Sequence, residues 1–144
     1  MIYHWTSKEK AATAVTTGRL QARRWNHFLE AEQRYAKGSS WSLNPTQWQR
    51  ENEVCLVLDE TKITNQMHHI NGNRTYLLTM GMDSTRCYDP NAYKFESEEP
   101  DEVFVEGTID LSNALIDVHV IDSAAADWSR LLAERSAKAK SNER

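Results

Sequence analysis

Apolar and polar positions alternate weakly over Met1 to Thr6, and this predicts a short strand. Ser7 then offers an N-cap, and Glu9 complements the start of a helix. Lys10 holds the position where a capping box would want Glu or Gln. Ala11, Ala12, Ala14 and Val15 supply a compact apolar face, and Gly18 is a natural stop. Leu20 closes a strand–helix–Gly-x-Leu unit. From Trp25 to Ala36 the residues Phe28, Leu29, Ala31, Tyr35 and Ala36 fall at mixed helical spacing, which reads as a helix or ordered loop ended by Gly38. Ser39 to Leu43 reads as a strand, stopped by Asn44-Pro45.

The second half continues in the same manner. Val54 to Leu58 is a continuous apolar run of strand length, expected to be buried on both faces. Between Thr61 and Gly81 the signals are few: a turn at Asn71-Gly72-Asn73 and a short strand at Tyr76-Leu77-Leu78. Met82 to Pro100 is polar and turn-rich, and the acids from Glu98 to Glu102 suggest an exposed loop leading into a strand at Val103 to Val105. Leu115 to Ile121 alternates as a strand. Ser123 is placed to cap a last helix whose Trp128, Leu131 and Leu132 form an apolar stripe. Residues 138–144 read as a flexible C-terminal tail after a single domain over 1–137. The mixture is α+β.

Composition narrows the function classes. The 144 residues suffice for one domain with a real core, and 40% apolar with 26% charged is ordinary for a globular protein. A net charge of −4 argues against a general nucleic-acid coat, while Arg19, Arg23, Arg24 and His27 form a local basic cluster. Cys55 and Cys87 give neither metal-site spacing nor a disulfide framework, and Cys55 lies in the apolar run as a small hydrophobe. No apolar stretch approaches a membrane span, and the N-terminus reaches Lys8, Glu9 and Lys10 without a signal-like run. A reducing, cytoplasmic setting is the expectation. No metal is expected: His68 and His69 are adjacent rather than at i, i+4, without acids at ligand spacing. The chain has no Gly-rich phosphate loop and no nucleophile elbow around Ser42.

Three segments carry candidate chemistry: Tyr3-His4-Trp5-Thr6, Trp41-Ser42-Leu43-Asn44-Pro45, and Asp101 to Gly107. The Tyr-His-x-Thr-Ser opening followed by a helix and Gly-x-Leu resembles the ADP-ribosyltransferase-like fold. More narrowly, the chain is similar to small phage-encoded members of that fold. The shared features are Trp41 to Pro45, where Ser-Leu-Asn-Pro stands in the place of a Ser-Leu-x-x-Pro-type strand, the Val-x-Leu-Val-Leu-Asp strand at Val54 to Asp59, and a Glu-rich lead into a strand ending in Gly-x-Ile at Glu98 to Ile109. The resemblance spans about residues 1–121. It implies a single compact domain with a split antiparallel β-sheet core and flanking helices, acting on NAD in the host cytoplasm if phage-encoded.

By the same resemblance, His4 binds a ribose hydroxyl of NAD with Thr6 in support, and Ser42 lies under the nicotinamide ribose with Trp41 or Ser40 nearby. Glu102 is the catalytic carboxylate, with Glu106 as its rival on the same strand face. Trp5 stands where the family has a small residue, against the nicotinamide amide. The family's middle-motif tyrosine is missing, and Tyr35, Trp41 or Tyr88 supplies the ring in its place. A carboxylate suits this chemistry because positive charge builds on the ribose carbon as nicotinamide leaves. The acceptor is a host protein or nucleic acid, and the oligomeric state is open. Two rivals stand beside this transferase. One is an inactive binding module of the same fold, using the basic cluster and exposed tryptophans against a host macromolecule. The other is an RNA 2′-phosphotransferase using Arg23, Arg24 and Arg74.

Overall fold

The computed structural model describes residues 1–22, 26–29, 32–49, 53–69, 73–78, 93–98 and 102–142. Arg23, Arg24, Trp25, Cys87 and Tyr88 lie outside the described residues, and so does the Asn71-Gly72 part of the expected turn. In chain order the elements are β1 (Ile2–Ser7), α1 (Lys8–Thr17), β2 (Arg19–Leu20), β3 (Asn26–Leu29), β4 (Arg34–Ser42), β5 (Glu53–Leu58), β6 (Met67–His69), β7 (Asn73–Leu78) and β8 (Tyr93–Glu98). They continue with β9 (Glu102–Glu106), β10 (Ile109–Asp110), α2 (Leu111–Ala114), β11 (Leu115–Val120) and α3 (Ala125–Asn142). The result is an α+β domain whose described strand pairings are all antiparallel.

The main sheet runs β11-β5-β1-β4-β9-β6, with β3 added to β4 as a hairpin. β1 and β5 pair along their full length, which sets Ile2 opposite Leu58, His4 opposite Leu56 and Thr6 opposite Val54. All six are buried, and the face they share takes the two long helices. α1 presents Ala11, Ala12 and Ala14 to that core, and α3 adds Trp128 and Leu131. Alanine is the residue that lets a helix backbone come close to a sheet without a void. Lys8 of α1 and Asp127 of α3 close the rim with an ion pair at 2.6 Å. On the opposite face Phe104 packs with Leu29 and Ala36 in a smaller cluster.

Local rules explain the ends of α1. The Ser7 hydroxyl accepts from the Lys10 amide at 3.2 Å, and Gly18 takes φ 74° while its N–H reaches the Ala14 carbonyl. These are the caps the sequence predicts. Val54 to Leu58 is buried throughout, as its unbroken apolar run requires.

Three readings are corrected. Residues 25–36 form no helix: Asn26–Leu29 and Arg34–Ser42 pair as a hairpin, because ladder partners outweigh a mixed periodicity. Gly38 does not end an element but sits inside β4 opposite Glu106, where a Cβ would run into the Val105 carbonyl. The stretch read as a loop before residue 100 contains β8, whose Tyr93, Phe95 and Ser97 alternate with Lys94, Glu96 and Glu98. Smaller differences follow at the C-terminus. A 3-10 turn at Asp122–Ala124, which contains Ser123, leads directly into α3, and the helix runs past Ala137 to Asn142.

Gly38→Ala is expected to destabilise the domain by about 3 kcal/mol, the upper end for forced overpacking, because the obstacle is backbone. Denaturant unfolding measures it, and a loss under about 0.5 kcal/mol would remove this account of the glycine.

Candidate functional site

β1 and β4 are neighbours at one register pair, Tyr3 opposite Ser42, whereas β1 and β5 match over six pairs and β4 and β9 over five. Beyond that rung β1 follows β5 and β4 follows β9, and a wedge opens between them. His4 sits at its apex. Its Nδ1 lies 2.8 Å from the Ser40 carbonyl, and its ring rests on Trp41 with centroids 4.8 Å apart. A carbonyl only accepts, so this contact puts a proton on Nδ1. Trp41 is fully buried and donates its indole N–H to Ser39 Oγ at 2.8 Å. Thr6 from β1 and Ser39 from β4 line one cavity of about 740 Å³, together with His4 and α1 residues. That volume lies within the range of small-molecule pockets, roughly 300–1,000 Å³.

Ser42 and Glu102 stand opposite each other on β4 and β9, in the same row as Tyr3. Ser42 is fully buried; its hydroxyl donates to Gln47 Oε1 at 2.7 Å and accepts from the Asn44 amide at 2.9 Å. Glu102 is 3% exposed. The turn after Ser42 is closed by the Asn44 side chain on Thr46 and carries Trp48 at φ 65°, a strained setting for a bulky residue. Trp5 donates its indole N–H to the Pro45 carbonyl at 2.8 Å and meets His119 edge-on at 5.9 Å.

The six cofactor-contact candidates and Glu102 therefore fall into groups. His4, Thr6 and Trp41 meet at the wedge. Ser42 and Glu102 form a second pair one row away, and strand alternation sends successive rows to opposite faces of a regular sheet. Trp5 borders the cavity and is tied to the 44–49 turn. Tyr35 lies at the other end of β4, roughly 20 Å from Trp41 at strand rise.

Glu106, the rival carboxylate, is engaged elsewhere. Arg34 grips it with two nitrogens at 2.7 and 3.0 Å, and His68 Nε2 lies 2.9 Å from it. The Arg34 hydrogen bonds hold its carboxyl far below the usual range, at about 2, with help from His68. Glu32 completes the group; its carboxylate, the Glu106 carboxylate and the His68 ring offer ligand atoms within 4.8 Å of one another. The acidic neighbours that adjacent His68 and His69 lack in sequence thus arrive from two other segments, with the Arg34 cation already among them. Cys55 is buried, and burial pushes its thiol up to about 11, which removes it as a nucleophile at neutral pH.

Set against family models, curated proteins and solved structures, the chain matches none. No helix among the described residues is long and apolar enough to cross a membrane.

Sequence reasoning missed the Glu32–Arg34–His68–Glu106 group and Gln47, the partner of Ser42. Only Glu106 carried a signal, because strand periodicity puts it on the face of Glu102. The depressed Glu106 carboxyl has a direct consequence for stability. Its ion pair contributes fully above the ordinary value of 4.5, and the contribution is lost as pH falls toward about 2. Glu106→Gln is expected to lower the Tm at neutral pH and to match the parent near pH 2. Parallel Tm curves from pH 7 to pH 2 would contradict that linkage.

Proposed function

We propose that the protein is an NAD-dependent ADP-ribosyltransferase of the split-sheet kind that its motifs resemble. The observation that carries this reading is the seam. Three segments far apart in sequence lie on adjacent strands, and β1 and β4 share a single register pair beside a ligand-sized cavity. The resemblance implies a split antiparallel sheet core, and a seam this thin supports that reading.

The residues suit the chemistry as follows. His4 and Thr6, at the cavity, supply hydrogen bonds to ribose hydroxyls. Trp41 is the aromatic surface next to His4. The bond from ribose C1′ to the nicotinamide nitrogen breaks, and its electron pair leaves with the neutral ring. The resemblance assigns to the Glu102 carboxylate the negative charge opposite C1′, although its row is not the row of His4 and it is not among the described residues that line the cavity. An acceptor nucleophile then bonds to C1′ and gives up its proton. The acceptor class, protein or nucleic acid, is part of the proposal.

One set of observations favours the rival reading, a binding module of the same architecture without catalysis. Glu102 is almost fully buried, the Ser42 hydroxyl is engaged by Gln47, and the row of Glu102 is not the row of His4. On that reading NAD produces neither turnover nor a thermal shift.

Purified Glu102→Gln and His4→Ala variants separate the two. The transferase reading expects NAD consumption by the parent and a loss of ~10²-fold or more in Glu102→Gln, with folding checked by circular dichroism. Equal turnover in the parent and both variants rejects the residue assignments. A parent with no turnover and no NAD-induced shift leaves the binding module.

A further inference from the structure

The wedge cavity runs along one face of α1. Lys10, Thr13 and Ala14 line it, and Thr17, one turn on, lines a second cavity of about 570 Å³. Positions 10, 13, 14 and 17 form a single stripe on a helix. Arg19 and Gln21 border both cavities, so the second adjoins the groove that the first forms from His4 along α1 to Gln21.

Two cations line the groove: Arg19 lies across the β2–β10 ladder from Asp110 and helps to lower that carboxyl, while Lys10 has no acid paired with it among the described residues. Among the described residues, neither the Lys10 nor the Arg19 side chain makes a hydrogen bond or an ion pair, and both are exposed. Elsewhere the basic side chains facing acids are paired: Lys8 with Asp127, Arg34 with Glu106 and Glu32, Arg130 with Glu134 and Asp127. The acids bordering the groove are Glu9 in the first cavity and Asp110 in the second. Asp110 is already satisfied by the Ser112 amide and hydroxyl at 3.0 and 2.6 Å. Lys10 and Arg19 line the same cavity, and both carry long side chains that can reach an anion within it.

We propose that this groove binds the diphosphate of a nucleotide, with Arg19 and Lys10 as its cationic contacts. The inference rests on the proposed use of NAD and names the residues that hold the charged middle of that ligand. A guanidinium and an ammonium are the side chains suited to phosphate oxygens. A small ligand is favoured over a nucleic-acid strand for two reasons: the cavity is of small-molecule size, and the chain carries a net charge of −4.

Titration calorimetry of the full chain with ADP and with adenosine tests it. The parent is expected to bind ADP at least ~10-fold more tightly than adenosine. The combined Arg19→Gln, Lys10→Gln variant is expected to lose that preference while its affinity for adenosine is unchanged. Added salt is expected to weaken ADP alone. Equal affinities in the parent, a preference that survives in the variant, or binding of an oligonucleotide but not of ADP would each overturn the proposal. The readout involves no turnover. An inert Glu102→Gln comparison can therefore fail the transferase while the diphosphate groove stands, and a turning-over enzyme with no ADP preference does the reverse.

Discussion

The fold depends on how two three-strand ladders are joined within one sheet. β5, β1 and β11 form one ladder, and β4, β9 and β6 form the other; one rung, Tyr3 with Ser42, connects them. A single rung is a weak backbone link, so side chains hold the seam. His4 does so twice, through the Ser40 carbonyl and the Trp41 ring, and Trp41 is itself pinned to Ser39. A histidine serves here because one ring offers an N–H to a stranded carbonyl and a flat surface to an indole. The helices act from one side. α1 and α3 cover the same face of the seam, and the Lys8–Asp127 pair fastens them to each other.

Charge is distributed unevenly over this frame. Glu106, close to the edge of the sheet, sits in a neutralised group with Arg34 and His68. Glu102, four residues earlier on the same strand, is buried beside a serine hydroxyl. The two glutamates occupy one strand face and differ in everything else: one is a surface latch between the β3–β4 hairpin and β9, the other part of the interior. The basic residues Lys10, on α1, and Arg19, on β2, line the cavity, and neither of these two glutamates is among its described lining residues.

Much of this was legible in the residues. β1, α1 with both caps, β5, β9 and β11 each carry a local signal: a cap, an unbroken apolar run, or alternation. The candidate site was legible as three segments but not as a geometry, since register depends on partner strands rather than on local pattern. The hairpin of β3 and β4 escaped because Tyr35 and Ala36 suit either period and because Gly38 reads as a stop. Its real constraint, the Val105 carbonyl, comes from 67 positions away. β8 escaped because acidic density drew more weight than its alternation. The partnership of Arg34 with Glu106 and His68 is wholly long-range, and no spacing rule finds it.

The lone rung has a mechanical meaning. Where backbone pairing stops after one rung, the width of the gap beside His4 is set by side chains: an imidazole on a carbonyl, the same imidazole on an indole, and a second indole on the Pro45 carbonyl. Substitution at these few rings would therefore reshape the opening while leaving every ladder in place.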